Sequence, residues 1–387
     1  MATDPVTSTS TPARIPLPVT SSAPSDELRT KLGLFDPGLK FKTTATIPSL
    51  WYYDPEIYEI ERQAVFGQNW VLVGRADQAP TPRSYFTVEV AEEPVVVLRD
   101  DDNQLRAFSN LCRHRATQLL TKPEGVLSDD NIRCDYHRWC YEARTGNICG
   151  APELGKVKDI FPLKNLNLPQ FELATWGPLV FVRMEQGANA TPLTDIIAPI
   201  IDRTKDIDFS KLKWAGRREY EIACNWKSYV GNFLDGGGHV PSIHPELAGS
   251  LNFPEYSTEI FDKCSLQQCP TLEKDDKTRQ GTAMYWWAYP NTMINIYDGV
   301  MDTNIVLPMG PDRCKVIFDF YFDDKWDKQA IDKYIERAHQ VQLEDMGVCE
   351  RQRLKSRFYK FGPYANRETG EHHFHQLLAQ DLQRAIS

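Results

Sequence analysis

The chain has no run of about 18 apolar residues, so it contains no segment expected to cross a bilayer as a helix. It has no Gly-x-Gly-x-x-Gly fingerprint after a predicted strand, which argues against nicotinamide binding by the usual dinucleotide fold. It also has no excess of positive charge: the chain contains 44 Lys and Arg and 53 Asp and Glu, which gives a formal net charge of −9. That balance disfavours nucleic acid and anionic membranes as partners. With 387 residues, of which 41% are apolar, the chain is long enough for two domains with sizeable cores.

The cysteines do not form the pattern of a disulfide framework. Two of the nine belong to the motif described next, and the other seven are scattered. These seven are Cys140, Cys149, Cys224, Cys264, Cys269, Cys314 and Cys349. An odd remainder of scattered thiols predicts a reducing compartment rather than secretion. Cys140 and Cys149 do not stand at ligand positions, and we interpret them as buried small residues.

Two pairs of cysteine and histidine are the clearest motif of the sequence. Cys112-Arg113-His114 is followed, after residues 115–133, by Cys134-Asp135-Tyr136-His137. Each pair offers one thiolate and one imidazole, and the stretch between the pairs is long enough for two ligand loops that face each other across a small β-module. On a [2Fe–2S] cluster such a set places both sulfurs on one iron and both nitrogens on the other, the arrangement of a Rieske centre.

A structural zinc ribbon is the alternative interpretation of these four residues. Zinc ribbons accept Cys and His in pairs, but they usually keep about two to four residues between the ligands of both pairs. The single residue between Cys112 and His114 argues against zinc. Ligand type and spacing together favour the cluster.

A second candidate metal site lies about a hundred residues further along the chain. His239 and His244 are five residues apart, close enough to share one face of a slightly irregular helix and to bind one metal ion. A histidine pair alone is weak evidence, because such pairs are more often surface or core residues. Gly236–Gly238 precede the first histidine, and each glycine lowers helix propensity by about 1 kcal/mol relative to alanine, which predicts an irregular turn there.

A carboxylate for this site is available on a predicted helix that spans residues 325–356. Its apolar residues recur at helical spacing, with charged residues between them. Asp345 lies on this helix and can turn toward the two histidines. Two His and one carboxylate leave open positions on Fe(II) for oxygen and substrate, as in the facial triad of non-haem oxygenases. The alternative for Asp345 alone is an acidic residue on a solvated helix face.

Together these motifs resemble those of the Rieske non-haem iron oxygenase α subunits. The resemblance covers nearly the whole chain beyond residue 45, and within the family it is nearest to the plant-type choline monooxygenases. The matching segments are Asn225-Trp226-Lys227, Leu234-Asp235-Gly236-Gly237, Met301-Asp302-Thr303-Asn304, Val306-Leu307-Pro308 and Gly370-Glu371-His372-His373-Phe374-His375. The resemblance implies an α+β protein, with an N-terminal all-β Rieske [2Fe–2S] domain and a C-terminal catalytic domain in which helices flank an antiparallel sheet.

The resemblance also implies a role for each motif residue. Cys112 and Cys134 match the ligands of the inner iron of the cluster, and His114 and His137 those of the outer iron. The mononuclear iron would be held by His239, His244 and Asp345.

Asp235 resembles the acidic residue that, in the family, bridges a cluster histidine of one subunit to an iron histidine of the next. It stands four residues before His239, where many relatives place it three before. Gly231 and Gly238 also depart from the family, which usually has a carboxylate and an aromatic residue at these positions. Both glycines predict a larger or looser region beside the iron.

An aromatic strand is the candidate substrate surface. In Met284–Pro290 a period of two places Tyr285, Trp287 and Tyr289 on one face. Aromatic faces attract a quaternary ammonium group by cation–π interaction, worth about 0.5 to 2 kcal/mol per ring, which suits choline. The alternative is that these rings fill the core of the domain.

The sequence predicts three regions. Residues 1–45 are predicted to form a disordered or flexible arm, because residues 1–24 are rich in Thr, Ser and Pro. Residues 46–185 are predicted to form the Rieske domain with an N-terminal helical segment. Residues 186–387 are predicted to form the mononuclear iron domain. The compartment is predicted to be the cytoplasm, or the plastid stroma or mitochondrion if the arm is a transit peptide. Transit peptides are rich in arginine, whereas residues 1–24 contain only Arg14, which argues against a transit peptide.

Three functions stay open on the sequence. The first is hydroxylation of choline to betaine aldehyde hydrate with O2, in glycine betaine synthesis. The second is demethylation or C–N cleavage of another quaternary ammonium compound, such as carnitine, glycine betaine or stachydrine. The third is a non-catalytic electron-transfer or zinc-stabilised protein. For an oxygenase, the resemblance implies a homotrimer, supplied with electrons by a separate ferredoxin or flavin reductase.

Overall fold

The computed structural model describes residues 25–155, 163–185, 191–272 and 281–387, which divide into two units. The first unit takes in residues 66–185, and the second takes in residues 25–65 and 191–387. No helix among the described residues is both long enough and apolar enough to cross a membrane.

The first unit is built from antiparallel strands. They are β1 (Val71–Arg75), β2 (Ser84–Val90), β3 (Glu93–Arg99), β4 (Leu105–Ser109), β5 (Glu124–Val126), β6 (Asn131–Arg133), β7 (Cys140–Glu142), β8 (Ile148–Gly150), β9 (Gln170–Trp176) and β10 (Leu179–Arg183). Seven strands form one sheet in the order β1-β10-β9-β4-β3-β2-β5, and β6-β7-β8 form a small second sheet. Val95, Val96 and Val97 of β3 are fully buried, as expected of β-branched residues in a central strand.

The core of this unit extends beneath the two ligand loops. Cys112 and Cys134 belong to the same buried cluster as Phe108, Trp139 and Tyr141. The small sheet therefore lies on apolar side chains that also hold the two loops in place.

The second unit combines one large sheet with helices. Its helices are α1 (Asp26–Leu32), α2 (Pro55–Ile60), α3 (Leu193–Ile196), α4 (Ala198–Arg203), α5 (Trp226–Phe233), α6 (Val240–Ile243), α7 (Pro245–Ala248), α8 (Lys328–Cys349) and α9 (Thr369–Ala385). Its strands are β11 (Lys213–Ile222), β12 (Ser257–Ile260), β13 (Cys264–Pro270), β14 (Thr282–Ala288), β15 (Thr292–Tyr297), β16 (Val300–Pro308) and β17 (Cys314–Phe322). All seven pair antiparallel in the order β11-β17-β16-β15-β14-β13-β12. The predicted α+β fold class is confirmed.

Helices α8 and α9 pack on the same face of this sheet. Tyr334 of α8 contacts Phe320 and Phe322 of β17, and Phe374 of α9 contacts Trp287 of β14. Since paired strands in this register alternate their side chains, this face carries every second residue of the central strands. The sheet face and its helices form the frame of the second metal site.

Helix α8 is shorter than predicted. It begins after Asp327, whose carboxylate accepts a hydrogen bond from Ala330 N, and it ends at Cys349 rather than at residue 356. Cys349 is its last buried apolar residue, so the helical pattern ended there in the sequence as well.

The structure differs from the prediction for residues 25–45. Residues 26–32 form a helix in which Leu28 and Leu32 are buried, and Ser25 caps its first turn. Gln383 of α9 donates hydrogen bonds to the carbonyl groups of Leu32 and Phe35. Two buried leucines and a capping serine were enough to order a segment that composition assigned to the arm. The remainder of the predicted arm, 1–24, lies outside the described residues.

The boundary at residue 46 also differs. Residues 46–65 group with the second unit, whereas the sequence analysis assigned them to the Rieske domain. Trp51 and Ile57 are buried, and the hydroxyl of Tyr58 accepts a hydrogen bond from Gly310 N at 3.0 Å. Glu61 pairs with Lys227 of α5 at 2.6 Å, and both side chains are fully buried. A buried ion pair of this kind ties the segment to the second unit, which no local pattern in the sequence indicates.

Candidate functional site

The two cysteine–histidine loops have the same backbone geometry. In each loop the cysteine N–H donates to the carbonyl five residues on, and the residue four positions on donates back to the cysteine carbonyl. The bonds are Cys112 N to Thr117 O, Cys134 N to Trp139 O, Ala116 N to Cys112 O and Arg138 N to Cys134 O, at 2.8 to 2.9 Å. Ala116 and Arg138 close the loops with positive φ angles of 54° and 61°. These two matching loops bring Cys112 beside Cys134 and His114 beside His137.

The four side chains sort by burial into an inner and an outer pair. Cys112 and Cys134 are 3% and 2% exposed, whereas His114 and His137 are half-buried. The two imidazole rings lie 4.6 Å apart by their centroids, and His114 also stacks on Trp139 at 4.6 Å. An arrangement with sulfurs inside and imidazoles toward the surface suits a cluster that receives electrons from outside.

The protonation chemistry of these residues fits a bound cluster. Burial raises the pKa of the Cys112 thiol, and Tyr141 OH lies 3.2 Å from its sulfur. A coordinated metal keeps such a thiol deprotonated. Burial and the neighbouring His137 lower the pKa of His114, so its imidazole is neutral and able to act as a ligand.

A tight turn between α5 and α6 positions the first histidine of the second site. Gly236 and Gly237 have φ angles of 70° and 71°, a region that residues with a Cβ rarely adopt. A Cβ on Gly236 would overlap the Arg367 carbonyl, and one on Gly237 would lie 2.9 Å from the Tyr256 ring. The predicted irregular turn is therefore present, and it requires these two glycines.

His239 and His244 flank the short helix α6, and each is fixed by a carboxylate. The Nδ1 atom of His239 lies 2.6 Å from Asp235 Oδ2, and the Nδ1 atom of His244 lies 2.7 Å from Glu344 Oε2. These bonds set the tautomer and leave both Nε2 atoms as the ligand atoms. The ring centroids are 5.0 Å apart.

Asp345 meets both Nε2 atoms. Its Oδ1 atom lies 3.0 Å from His244 Nε2 and 3.5 Å from His239 Nε2, and one ligand atom from each of the three residues falls within 4.8 Å of the others. Asn232 of α5 donates a hydrogen bond to the same Oδ1 atom at 2.7 Å. Burial lowers the pKa of His244, but Asp345 and Glu344 outweigh it, so the pKa is raised. This attraction for positive charge, with two imidazoles and a carboxylate converging, fits a divalent iron.

Two comparisons address the identity of these domains. Residues 69–170 match the Rieske [2Fe-2S] domain, and residues 209–384 match the catalytic domain of the ring hydroxylating alpha subunit. The chain is 37% identical to the chloroplastic choline monooxygenase of Arabidopsis thaliana over 90% of this chain and 85% of that protein. The chain belongs to the Rieske non-haem iron oxygenases.

Other relatives have names that refer to different substrates. The carnitine monooxygenase oxygenase subunit of Escherichia coli K12 is 29% identical over 87% of this chain and 93% of that protein. A solved quaternary ammonium Rieske monooxygenase, with an inhibitor bound, superimposes with a TM-score of 0.78 at 26% identity, over 90% of this chain and 98% of that one. This Rieske oxygenase is accordingly a non-haem iron monooxygenase that uses a Rieske [2Fe–2S] cluster and a mononuclear iron.

Of the three predicted substrate residues, Trp287 and Tyr289 contact each other edge-on, with ring centroids 5.9 Å apart, whereas Tyr285 contacts other rings. Tyr285 faces the helices and its hydroxyl lies 2.9 Å from that of Tyr297. Trp287 is fully buried against Phe374, and Tyr289 lies beyond the end of β14 with Lys263 Nζ 4.8 Å from its ring centroid. Of these three side chains, only that of Tyr285 is partly exposed to solvent; those of Trp287 and Tyr289 are buried.

Sequence reasoning missed two residues that shape the Rieske oxygenase site, Glu344 and Glu371. Glu344 precedes Asp345, and that adjacency was the available signal. Glu371 of α9 lies in one of the matching segments, but its position beside Gly231 was not detectable, because the two residues are far apart in the chain. A Cβ on Gly231 would lie 2.8 Å from Glu371 Oε1. The glycine predicted to loosen this region instead makes room for a carboxyl group from elsewhere in the chain.

The prediction of buried spare cysteines holds for Cys140 but is wrong for Cys149, whose side chain is exposed on the edge strand β8. All nine cysteines are free in the structure.

Proposed function

We propose that this Rieske oxygenase hydroxylates choline at the carbinol carbon, giving betaine aldehyde hydrate as the first step of glycine betaine synthesis. The proposal is supported by the identity to the Arabidopsis choline monooxygenase along nearly the whole chain. The observation in the structure that carries it is a group of tyrosines between the iron-site turn and the sheet.

This tyrosine group consists of Tyr256, Tyr285 and Tyr297. The ring of Tyr256 packs on Gly237, two residues before His239, and stacks with Tyr285 at 6.5 Å. Tyr285 in turn contacts Tyr297 edge-on at 6.0 Å. Tyrosine rings attract a trimethylammonium group by about 0.5 to 2 kcal/mol each, and more when water is excluded. A cationic substrate held here lies beside the proposed iron ligands.

We assign the cluster to Cys112, Cys134, His114 and His137, and the iron to His239, His244 and Asp345. Bound in these sites, the two centres supply single-electron transfer and oxygen activation. Asp235 and Glu344 hold the two imidazoles in the ligating tautomer. Asn232 orients the Asp345 carboxylate by its hydrogen bond at 2.7 Å.

The reaction requires electrons and protons from outside the substrate. Its balance is R–H + O2 + 2 electrons + 2 protons → R–OH + H2O, and the electrons come from a separate donor protein. We propose a ferredoxin or a flavin reductase as that donor, and a homotrimer in which Asp235 connects His239 to a cluster histidine of a neighbouring subunit. The Asp235 side chain is 17% exposed, which leaves it open to a further donor.

Demethylation or C–N cleavage of another quaternary ammonium compound, such as carnitine, glycine betaine or stachydrine, is the second candidate. It is supported by the 29% identity to the Escherichia coli carnitine monooxygenase subunit and by the fold similarity to the quaternary ammonium enzyme. The non-catalytic alternative finds no support, since the three proposed iron ligands converge in this chain.

The compartment is proposed from the cysteines. None of the nine cysteines forms a disulfide, which suits a reducing compartment, either the cytoplasm or an organelle such as the plastid stroma or mitochondrion. The Arabidopsis relative is a chloroplastic protein.

Product analysis with separate substrates tests the proposed function. The iron-reconstituted protein receives a surrogate reductase, NADH and O2 with choline, glycine betaine, carnitine or stachydrine. Betaine aldehyde from choline alone is the expected result. Formaldehyde or a cleaved amine from another substrate would assign the second candidate and discard choline.

A further inference from the structure

Two cysteines outside the proposed ligand set lie on neighbouring strands of the small sheet. Cys140 of β7 pairs with Gly150 of β8, and the next residue, Tyr141, pairs with Ile148. The register skips Cys149, so Cys149 and Gly150 together oppose Cys140 in a β-bulge. Opposed residues of antiparallel strands have Cα atoms about 4.5 to 5.5 Å apart, a separation that disulfide bonds also span.

The two cysteine side chains also contact each other. Burial, and then a hydrogen bond with the Cys140 side chain, raise the pKa of Cys149 to about 12, so Cys149 keeps its proton. The Cys149 sulfur also lies 3.2 Å from Asn131 Oδ1 on the third strand of the same sheet, β6. The pair is therefore held in place by the sheet and by its own contact.

Arg133 lies beside the Cys140 sulfur. The two residues are paired across β6 and β7, and Arg133 Nη1 donates a hydrogen bond to Cys140 Sγ at 3.4 Å. A guanidinium group beside a sulfur stabilises the thiolate, which is the nucleophilic form. In this pair Cys140 is accordingly the sulfur that attacks, and Cys149 is the sulfur that completes a disulfide.

The pair is accessible from the surface. Cys149 is exposed, and it lines a surface cavity of about 330 Å³ together with Asn131 and Arg144. Cys140 retains 6% exposure next to it, and the Arg133 side chain that contacts the Cys140 sulfur is 40% exposed. A reagent as small as a peroxide can approach the Cys140 sulfur from this side.

We infer that Cys140 and Cys149 form an oxidisable dithiol, which a peroxide converts into a disulfide between β7 and β8. The Cys140 thiolate attacks one oxygen of hydrogen peroxide, the O–O bond breaks, and the other oxygen leaves as water after protonation. The Cys149 sulfur then displaces the hydroxyl group of the Cys140 sulfenic acid, and the Cys149 proton leaves with that group as water. The net change is 2 R–SH + H2O2 → R–S–S–R + 2 H2O, in which two electrons pass from the sulfurs to the peroxide.

The oxidant is one that oxygen chemistry supplies. When O2 receives two electrons and two protons without hydroxylation of a substrate, the product is hydrogen peroxide. The dithiol lies on the sheet whose strand β6 ends at Arg133, directly before the proposed ligand Cys134. It therefore takes up peroxide on the sheet that carries a ligand loop, and a thiol reductant of a reducing compartment restores it by disulfide exchange.

Peptide mapping of the oxidised protein tests the inference. The holoenzyme is reduced, freed of reductant and treated with stepwise additions of hydrogen peroxide, and the remaining thiols are alkylated in denaturant. Trypsin cleaves after Arg138, Arg144 and Lys156, so it releases the two cysteines on separate peptides, 139–144 and 145–156. The expected product is these two peptides joined, with a mass two hydrogen atoms below their sum, and dithiothreitol is expected to separate them.

Cys224 and Cys314 are the matched control within the same chain. Their sulfurs lie 4.0 Å apart, but both residues are buried, so they are expected to remain alkylated thiols. Cys149→Ser changes an exposed side chain and blocks the second step. In this variant dimedone, which traps sulfenic acids, is expected to label Cys140, and cluster absorbance verifies the holoenzyme.

Several results would overturn the inference. Cys140 and Cys149 that both remain alkylated thiols in the wild-type protein would exclude the disulfide, and a disulfide between Cys149 of two chains would make Cys149 a lone surface thiol. No dimedone on Cys140 in Cys149→Ser would exclude Cys140 as the attacking sulfur. Bleaching of the cluster, or a disulfide between Cys224 and Cys314, before the two peptides join would mean that the pair has no particular reactivity.

Discussion

We expect iron binding to depend most on Asp345, because one of its carboxylate oxygens faces both imidazole Nε2 atoms. Asp345→Ala removes the only carboxylate among the three proposed ligands. The variant is expected to lose nearly all of its mononuclear iron and to keep the colour of the Rieske cluster. Iron and acid-labile sulfide analysis, together with the visible spectrum, measures both. Asp332→Ala on the exposed side of the same helix is the control, and iron retained in Asp345→Ala would mean that the ligand is misassigned.

A substitution of Asp235 tests the proposed electron path between the Rieske cluster and the mononuclear iron. Asp235→Asn preserves the shape of the side chain and weakens its bond to His239 Nδ1, now 2.6 Å. Turnover is expected to fall at least a hundredfold, with both metals retained, because the charge that we propose to couple the two sites is lost. The readouts are steady-state rate and metal content. Normal turnover would exclude Asp235 from the electron path.

Glu371 sets a pH dependence of stability. Burial, then Glu368 and Asp235, raises the pKa of its carboxyl group from 4.5 to about 8. The folded protein therefore keeps this proton while the unfolded chain loses it, so the free energy of unfolding falls as pH rises from about 4.5 to about 8. Glu371→Gln removes the titration and is expected to be more stable than the wild type at pH 8 by about 2 to 4 kcal/mol, but nearly equal at pH 4.5.

Denaturant unfolding at both pH values checks this prediction. Glu89→Gln, which changes an exposed carboxylate of β2, is the control and is expected to show no such difference. A Glu371→Gln variant that is less stable at pH 8 would show that the ionised carboxylate is what the fold requires.

At the scale of the element, the turn between α5 and α6 positions His239 in the proposed iron site. Gly236→Ala forces a positive φ on a residue with a Cβ and pushes it into the Arg367 carbonyl group, so it is expected to cost about 1 to 3 kcal/mol and to reduce iron content. Gly238→Ala meets nothing nearer than 3.5 Å and is expected to be tolerated. Thermal melting and iron analysis of the pair measure the difference. Equal behaviour of the two variants would mean that the turn does not constrain His239.

The same elements show how far local sequence patterns predict the site. The cysteine–histidine spacing, the glycine turn and the apolar period of α8 are short-range signals. Each predicted a local structure that is present: the paired loops, the irregular turn and the helix that carries Asp345. Glu371 beside Gly231, Glu61 beside Lys227 and the tyrosine group are contacts between distant segments, which periodicity does not encode. Trp287 and Tyr289 stay predictions as substrate residues, and both are buried; alternation along β14 predicts a face, but not which part of that face the helices cover.

At the scale of the whole molecule, the two units divide the chemistry. The first unit holds the residues proposed for the one-electron cluster, and the second holds those proposed for oxygen activation and for the substrate. Assigning residues 25–65 to the second unit required tertiary contacts, because only buried residues such as Leu32, Trp51 and Glu61 reveal where that segment packs. The proposed homotrimer would bring one subunit's cluster to the next subunit's iron through Asp235.

The most direct test of the proposed function uses choline with two deuterium atoms on its carbinol carbon. The iron-reconstituted enzyme converts it under O2 with a surrogate reductase, and the products are analysed by mass spectrometry. Hydroxylation at the carbinol carbon predicts betaine aldehyde with one deuterium retained and no formaldehyde. Formaldehyde with dimethylaminoethanol that retains both deuterium atoms would contradict the proposal, because oxidation would then have occurred at an N-methyl group.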